Sequence, residues 1–523
     1  MANVTVAEYR AARAAGTPFP DDVNTLVDTG ENISGLSQEE VSDLAGLNVD
    51  SIDATNDALI LSIDQFVSLG TVTLTQADVV TFRDTGADLA TGSPGQISAL
   101  AGAGIDIMEA SDGALTFTLD QFLALGAVVF SQATVATVTA TSADFASGTP
   151  AQVAELATKN VDFIDATDDV LTYSLEQLNA LGTVSFVAGD LVTVTGTGAQ
   201  FGALTPGEIA AIGAKNVDVL DASDNAVTLT AAQAAALTTG GTGFAADDAV
   251  TLADAGAALS GLTPGQIAAL SGKGVDALNA TDNVLSLSLA QFNALGSVGL
   301  TADDAIKLTD VGAALSGLTP DQLAGLAGRG IDSLDASDNA LTFSVAQYQA
   351  VASLAIAAED SVRINGTNFS ERIDGRASNE TIKGFGGNDN LFGGDGNDWL
   401  WGGTGKDVMT GGAGRDAFVF DTRPNKKTNY DTIRDFNVRD DTIYLDNAVF
   451  KKLGKGSETK PGKLNKSFFE VDNRADDRND YLIYNKKTGV LYYDADGSGA
   501  GRQVEIAKLS KNLKLKADDF LII

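Results

Sequence analysis

Four consecutive nine-residue segments late in the chain share one pattern. They read GFGGNDNLF (384–392), GGDGNDWLW (393–401), GGTGKDVMT (402–410) and GGAGRDAFV (411–419). Two looser copies begin at Gly366 and Gly375 and carry Phe369 and Ser378 in place of the fourth glycine. A Gly-rich linker would not keep a large apolar residue at position eight, as all six copies do. Position six is acidic in every copy: Glu371, Glu380, Asp389, Asp398, Asp407 and Asp416.

The nonapeptides combine glycine turns with a carboxylate at a fixed place. Glycines at positions one, two and four permit backbone conformations closed to residues with a Cβ, so several carbonyls can turn toward one point. Carbonyl and carboxylate oxygens without nitrogen or sulfur suit Ca²⁺, which takes six to eight oxygen ligands. The predicted calcium-site residues are Gly384, Gly387, Asp389, Gly393, Gly394, Asp395, Gly396, Asp398, Gly402, Gly403, Gly405, Asp407, Gly411, Gly412, Gly414 and Asp416.

These segments resemble the repeats-in-toxin (RTX), hemolysin-type calcium-binding family. The resemblance implies a parallel β-roll over residues 361–420, with each ion between turn n and turn n+2. The pairs Gly384/Gly402 and Gly393/Gly411 would then form two complete sites, and the two looser copies would cap the roll or bind weakly. Because such a roll buries little apolar area, we expect it to be largely disordered without calcium.

Residues 421–523 read as a β-rich region. The stretch from Asp494 through Asp496 to Gly499 has the D-x-D-G-x-G pattern of a small calcium loop, although a polar hairpin end explains it equally well. The tail from Phe418 to Ile523 resembles the C-terminal region of type I secretion substrates, including serralysin-type proteases. That resemblance implies an address for a one-step ABC exporter, and the N-terminus has no Sec-type signal pattern.

A second, longer repeat precedes the nonapeptides. Six copies of a segment such as Leu334-Asp-Ala-Ser-Asp-Asn339 are spaced by 56, 56, 56, 58 and 56 residues. A near-constant period predicts stacked units rather than one globular core. We therefore predict a mixed α/β solenoid of six repeats over residues 37–360, with residues 1–36 as a cap or partial repeat. The apolar spacing of its strands is loosely leucine-rich-repeat-like.

Helix-start signals recur within each long repeat, and two helices and three short strands are expected per unit. Hydroxyl N-caps, followed by proline in all but the first copy, predict one helix: Ser37, Ser93, Thr149, Thr205, Thr263 and Thr319. Capping boxes predict a second helix: Ser62/Gln65, Thr118/Gln121, Ser174/Gln177, Thr230/Gln233, Ser288/Gln291 and Ser344/Gln347.

Composition excludes several functions. The chain has no Cys and no His, which removes thiol nucleophiles, imidazole bases and the usual zinc or haem sites, including an H-E-x-x-H motif. Residues 1–360 carry 8 Lys+Arg against 45 Asp+Glu, and residues 361–523 carry 26 against 25. The acidic array should repel nucleic acid and gather cations. No stretch is apolar enough for a membrane span.

Two classes of function remain open at this stage. The first is a secreted, cell-surface-associated structural protein that self-associates as a surface-layer, fibre or matrix subunit. The alternative is a calcium-dependent adhesin or lectin that binds surface or extracellular polysaccharide. We do not expect an enzyme, because the carboxylates recur in register and no Walker A or G-x-S-x-G motif is present. The turn at Asp335, Asp338 and Asn339 could bind metal, but Asx-turn closure is favoured.

Overall fold

The computed structural model describes residues 2–20 and 24–523. Two compact units make up the chain: residues 1–254 with 265–277, and residues 255–264 with 278–523. Within the described ranges, no helix combines the length and the apolar character needed to cross a membrane. The division into cap, array, roll and C-terminal region made from the sequence stays a prediction.

Each long repeat contributes four strands. After a first strand, Ala2–Val4, the longer strands that lead into the first helix of each unit are Asn24–Asp28, Val79–Asp84, Val135–Ala140, Leu191–Gly196, Ala249–Asp254 and Ala305–Asp310. The pairs of strands around the polar turn are Val49–Ala54 and Ala58–Leu61, Ile107–Ala110 and Ala114–Thr118, Phe163–Ala166 and Val170–Ser174, Val219–Ala222 and Ala226–Leu229, Val275–Ala280 and Val284–Leu287, and Ser333–Ala336 and Ala340–Ser344. The shortest strands are Thr73–Leu74, Val129–Phe130, Ser185–Phe186, Gly243–Phe244, Gly299–Leu300 and Ala355–Ile356.

Each long repeat also contributes three helices, and helix Val6–Ala15 precedes them. The helices predicted from the hydroxyl caps are Gln38–Ser42, Pro94–Gly102, Pro150–Thr158, Pro206–Ala214, Pro264–Leu270 and Pro320–Gly328. Those predicted from capping boxes are Ile63–Ser68, Leu119–Leu123, Leu175–Ala180, Ala231–Thr239, Leu289–Ala294 and Val345–Ala350. The third set was not predicted: Gly30–Ser34, Gly86–Leu89, Ser142–Ala146, Gly198–Gly202, Gly256–Ser260 and Gly312–Ser316. Short 3₁₀ turns occupy Ala45–Leu47, Ser271–Lys273, Lys466–Phe468 and Ala517–Asp519.

Parallel strands from neighbouring coils stack into four-stranded sheets in the long repeats. One sheet of the first unit has the order Ala114–Thr118, Val135–Ala140, Phe163–Ala166, Ser185–Phe186. In it, Val138 lies between Phe117 and Ile164, and all three side chains are buried. Inward-facing apolar residues on every coil therefore make one continuous column of core within each unit.

The capping-box glutamines perform two tasks. The Oε1 atom of Gln121 accepts a hydrogen bond from the N-cap amide of Thr118 at 2.8 Å, as the predicted capping box requires. Its Nε2 donates to the carbonyls of Ala90 and Gly92, both at 2.8 Å, which lie beyond the end of a helix in the preceding coil. A glutamate could cap the helix but could not donate to these carbonyls. The same double role recurs at Gln65, Gln233, Gln291 and Gln347.

Two eight-stranded sheets form the C-terminal part of the second unit. One has the order Ala340–Ser344, Ser361–Asn365, Glu380–Lys383, Trp399–Trp401, Ala417–Phe420, Thr442–Leu445, Phe520–Ile522, Gly462–Lys463. The other has the order Arg372–Asp374, Asn390–Asp395, Val408–Ala413, Asp431–Ile433, Val504–Lys508, Val490–Tyr493, Leu482–Asn485, Phe469–Glu470. The last long repeat therefore supplies the first strand of a sheet that continues through the nonapeptides.

The predicted fold class is confirmed. Repeats of helices and short parallel strands are followed by a parallel β-roll, and antiparallel pairs such as Leu482–Asn485 with Val490–Tyr493 appear in the β-rich C-terminal region. The detail differs in the closing segment of each repeat. Residues 295–300 were expected to be a strand, but only Gly299–Leu300 is one, because Leu295 caps the preceding helix.

Candidate calcium site

Successive nonapeptides alternate between the two faces of the roll. Each strand pairs with the strand two repeats later, so that Leu391 lies beside Met409 on one face and Leu400 beside Phe418 on the other. The position-eight residues of all six copies are at most 1% exposed, and they form the narrow core between the faces. This arrangement brings turn n next to turn n+2 at each edge of the roll.

The position-six carboxylates form a ladder along each edge. The Oδ1 atom of Asp407 accepts a hydrogen bond from the backbone amide of Asp389 at 2.8 Å, and Oδ1 of Asp389 accepts one from Glu371 at 2.8 Å. On the other edge, Oδ1 of Asp416 accepts from Asp398 at 3.0 Å, and that of Asp398 accepts from Glu380. Each carboxylate is thereby fixed by the backbone two repeats earlier.

The second oxygen of each of these aspartates is buried without a hydrogen-bond partner in the described chain. This holds for Oδ2 of Asp389, Asp398, Asp407 and Asp416, whose residues are no more than 2% exposed. Burying an unpaired carboxylate oxygen is costly unless a cation balances it. Four such atoms in equivalent positions indicate a repeated place for a positive ligand.

The first glycine of each nonapeptide leaves the space that such a ligand needs. A Cβ on Gly393 would lie 2.3 Å from Oδ2 of Asp398 and 2.4 Å from the carbonyl oxygen of Gly411, two repeats later. A Cβ on Gly384 would lie 2.6 Å from both Oδ2 of Asp389 and the carbonyl oxygen of Gly402. A carboxylate and a carbonyl therefore converge beside each glycine, and this oxygen-only donor set fits Ca²⁺.

The pKa values of the ladder aspartates favour a cation beside them. Burial raises the pKa of Asp389 to about 6 and that of Asp398 to about 7, and it raises the pKa of Asp416 as well. Hydrogen bonds from backbone amides oppose this shift without cancelling it. A bound divalent ion would reverse it by stabilising the ionised carboxylates.

Residues 365–400 and 383–418 match the sequence profile of the RTX calcium-binding nonapeptide repeat, four copies per match. These are RTX calcium-binding repeats. RTX repeats bind calcium, and a protein that carries them is a calcium-binding extracellular protein. The predicted cofactor, Ca²⁺, is confirmed at this level.

Comparison with other proteins adds two similar structures. No curated protein sequence matches the chain. The solution structure of the AlgE6R3 subunit of the Azotobacter vinelandii mannuronan C5-epimerase is 26% identical, with a TM-score of 0.21, over 30% of this chain and 79% of that one. The plant peptide hormone receptor RGFR1 in complex with RGF2 is 10% identical, with a TM-score of 0.18, over 81% of this chain and 77% of that one.

The second of the two looser turns of the RTX roll, which begins at Gly375, differs from the four good copies. Both carboxylate oxygens of Glu380 have protein donors: the amide of Arg376 at 3.1 Å, the hydroxyl of Ser378, and the hydroxyl of Tyr348 at 3.1 Å. Tyr348 belongs to the last long repeat. This turn of the RTX roll is thus completed by the chain itself, without the unpaired oxygen found at Asp398.

Two aspartates beyond the nonapeptides continue the ladders. Oδ1 of Asp431 accepts from the amide of Asp407 at 3.0 Å, and Oδ1 of Asp441 accepts from Asp416 at 3.1 Å. Burial and the neighbouring Asp407 raise the pKa of Asp431, and burial raises that of Asp441 to about 6. Both residues fall in the predicted β-rich region 421–523 and were not predicted to bind calcium. The available signal was Asp-Thr-Ile at 431–433 and again at 441–443, which keeps the acidic sixth and apolar eighth positions of a nonapeptide.

Other predicted site residues lie apart from the ladders. The side chain of Asp395 is exposed at the end of strand Asn390–Asp395. Asp494 is buried, and its Oδ1 accepts from the amide of Asp496 at 3.2 Å, while Oδ2 of Asp496 accepts from Gly501 at 2.9 Å. In the described residues, the three acidic side chains whose oxygens lie within 4.8 Å of one another are a different set: Glu470, Asp476 and Asp480.

The polar turns of the long repeats tie neighbouring coils together. Oδ1 of Asp338 accepts a hydrogen bond from the amide of Gly312 at 2.8 Å, and Asn339 adopts a left-handed conformation with φ of 55°. Asp335 pairs with Lys307 at 3.0 Å. These contacts join the polar turn to the preceding coil, and both Asx-turn closure and metal binding at this turn stay predictions.

Proposed function

We propose that Ca²⁺ binds between turns n and n+2 of the RTX roll, against the unpaired Oδ2 atoms of Asp389, Asp398, Asp407 and Asp416. The first and fourth glycines of the good copies supply carbonyls or the room for them. The observation that carries this assignment is the set of four buried oxygens without partners. Whether Asp494 and Asp496 also hold an ion stays a prediction.

We further propose that the row of calcium sites along each edge of the roll extends by one turn, through Asp431 on the edge of Asp407 and through Asp441 on the edge of Asp416. Their hydrogen bonds to Asp407 and Asp416 repeat the geometry of the ladder, and both are at most 8% exposed. Each occupies the place of the acidic sixth residue of a nonapeptide, but a longer connection stands where the nonapeptides have a glycine turn.

Native mass spectrometry of the full chain with saturating calcium tests this extension. Asp431→Asn and Asp441→Asn should each lower the number of bound ions relative to the parent chain. Glu458→Gln removes one acidic group from an exposed loop and should leave that number unchanged. An unchanged number of bound ions in both aspartate variants would show that the rows of calcium sites end at Asp407 on one edge and at Asp416 on the other.

The array and the RTX roll together support a structural role. We propose a secreted structural protein of the bacterial cell surface that self-assembles as a surface-layer, fibre or matrix subunit once calcium has folded the roll. The support is the repeated, strongly acidic array, with 8 Lys+Arg against 45 Asp+Glu in residues 1–360, where calcium can bridge copies that would otherwise repel one another. A catalytic role is not part of this proposal.

Assembly can be observed directly. Electron microscopy and size-exclusion chromatography of the full chain should show ordered sheets or filaments when calcium is added and dispersed molecules in chelator. Magnesium at the same concentration is the control for charge screening, because it prefers octahedral sites with several retained waters. Dispersed monomers with calcium over the whole accessible concentration range would contradict self-assembly.

A second candidate function is a calcium-dependent adhesin or lectin. Phe122 and Phe292 of the long repeats are buried in the core, but Phe369 and Phe385 of the roll are 78% and 48% exposed. Exposed aromatic rings can stack on sugars, since they present a flat apolar face. Retention of a monomeric protein on an immobilised polysaccharide with calcium, lost in a Phe369→Ala/Phe385→Ala double variant, would favour this function over the structural one.

For export, we propose a type I ABC exporter that reads the C-terminal region. A chain lacking calcium in the producing cell would keep the roll unfolded and suitable for passage. Removing the segment after residue 463 should retain the protein in cells that otherwise secrete it. Secretion of the shortened chain at the parental level would contradict this route.

A further inference from the structure

Basic residues occupy one repeated position in the array. They are Lys159, Lys215, Lys273 and Arg329, each six residues before the second residue of the repeated polar segment, which is Asp335 in Leu334–Asn339. Nζ of Lys215 donates to the carbonyls of Gly182 and, at 2.6 Å, of Val184 in the preceding coil. The cationic group therefore fills a gap between two coils.

The same carbonyl pair recurs one repeat earlier. Nζ of Lys159 donates to the carbonyls of Gly126 and, at 3.3 Å, of Val128. Burial lowers the pKa of Lys159 and of Lys215, and the carboxylate of Glu155 opposes this shift at Lys159. In both repeats, two backbone carbonyls of the preceding coil thus accept hydrogen bonds from one ammonium group, and we call this carbonyl pair a cradle.

The second repeat has the cradle but lacks the lysine. Ala103 stands at the equivalent position, and the equivalent carbonyl residues are Gly70 and Val72. The backbone there has the same conformation, since φ is 57° at both Gly70 and Gly126 and 58° at Gly182. Ala103, Gly70 and Val72 all line a surface cavity of about 650 Å³.

The remaining walls of this cavity suit an alkyl chain that ends in a cation. Phe66, Val67 and Leu74 give it an apolar side, and Val67 is 72% exposed. Asp106 gives it an acidic side, since Asp78 is buried and both of its carboxylate oxygens already accept hydrogen bonds, and none of the described residues that line the cavity is Lys or Arg. One oxygen of Asp106 accepts from the amide of Val80 at 2.9 Å, and its side chain remains exposed at the cavity.

We propose that this cavity, defined by Gly70, Val72 and Ala103, binds a primary alkylammonium group. The ammonium takes the place that the lysine Nζ occupies in the next two repeats, and the alkyl chain lies along Phe66 and Val67. Two sources carry this group: a free aliphatic amine, and a lysine side chain of another protein chain.

Calorimetric titration of the full, calcium-loaded protein with n-pentylamine tests the proposal, with n-pentanol as the uncharged control. We expect saturable binding of one pentylamine and none of pentanol. Ala103→Lys should weaken binding by roughly tenfold or more, because a covalently attached ammonium then fills the cradle. Ala103→Ser leaves the space open and should bind as the parent does.

A gain-of-site variant makes the test independent of damage to the cavity. Lys159→Ala empties the cradle of Gly126 and Val128, so it should raise the number of bound amines from one to two. Absence of saturable binding to the parent, equal binding of pentanol, or an unchanged affinity in Ala103→Lys would each overturn the proposal.

The two sources are separated by a second titration. A short peptide with one internal lysine should bind more tightly than pentylamine if the natural group is a protein side chain, because the coil edges then contact its backbone. Tighter binding of the free amine would assign the site to a small ligand. Failure of the peptide and of the amine alike would count against the site itself.

Discussion

The long repeats and the RTX roll differ in how the polar groups between neighbouring coils find partners. Both stack short parallel strands around a narrow apolar core, and both bring polar groups to the joints between coils. In the array, side chains such as Gln291 and Lys215 reach the carbonyls of the neighbouring coil. In the roll, each good turn leaves one oxygen of Asp398 or its equivalents without a partner. The joints between coils of the array are completed by its own residues, except at the cradle beside Ala103, whereas we propose that Ca²⁺ completes the joints of the roll.

Chelation should produce the largest contrast between the two regions. We expect amides of residues 366–420 to lose protection from hydrogen exchange in chelator, because buried carboxylates then repel one another, while amides of the array keep theirs. Peptide-level exchange measured by mass spectrometry on the full chain separates the regions. Equal protection of the roll with and without calcium would remove the contrast.

Filling one proposed calcium site of the roll with a methyl group should reproduce part of the effect of chelation. In Gly393→Ala, the new Cβ would meet Oδ2 of Asp398 and the carbonyl of Gly411, so the calcium concentration at half-folding should rise by about tenfold or more. Gly325→Ala is the control, because Gly325 is an exposed residue of helix Pro320–Gly328 in the array and nothing lies within 4 Å of the added methyl. That change should add about 0.4–1 kcal/mol of stability without altering the calcium midpoint.

A change in the array should act without regard to calcium. Gln291→Glu removes the donor to the carbonyls of Ser260 and Leu262 and leaves them facing a carboxylate, at a cost of ~1–3 kcal/mol. Urea unfolding followed by exchange of peptides covering this repeat measures the loss. Gln349→Glu changes an exposed residue of the equivalent helix in the last repeat and should shift stability by less than about 0.5 kcal/mol. If added calcium restored the stability of the Gln291→Glu variant, the array would depend on calcium as the roll does, and the contrast between the two regions would be wrong.

The smallest expected effect is a dependence on pH that has opposite signs with and without calcium. The folded, calcium-free roll has carboxyl pKa values near 6 for Asp389 and 7 for Asp398, above the ordinary 3.8. Its stability is therefore greatest below the ordinary value and is lost as the pH rises through the raised values.

Calcium binds the ionised carboxylates, so its affinity should fall as the pH drops from about 8 to about 5.5. Calcium titrations at the two ends of this range, followed by circular dichroism, provide the measurement. Asp398→Asn should flatten the dependence. A calcium affinity that rises in acid would rule out these carboxylates as ligands.

Local signals predicted much of the fold, and contacts over longer distances were missed. Thr118 and Gln121 lie three residues apart, so their capping box was readable, but the reach of Gln121 to Ala90 spans 31 residues and leaves no local trace. The helix Ser142–Ala146 has five residues, too few for an apolar stripe.

The calcium site shows the same limit. The nonapeptides predicted the ladder of Asp389 to Asp416 because their period is strict. Asp431 and Asp441 were missed because sequence separations of 24 and 25 residues replace the separation of 18 between hydrogen-bonded aspartates in the nonapeptides. The cradle beside Ala103 escaped because its evidence is a missing lysine, which becomes visible only when equivalent backbones are compared.

The shared sheet gives calcium removal one more result. Strand Ala340–Ser344 of the last long repeat pairs along its length with Ser361–Asn365, the first strand of the roll. If the roll unfolds, that strand becomes an exposed edge strand with a row of unpaired amides and carbonyls, and such edges pair with strands of other chains. Protein without calcium would then associate through this one strand only. Adding calcium back would refold the roll, and its first strand would again cover Ala340–Ser344.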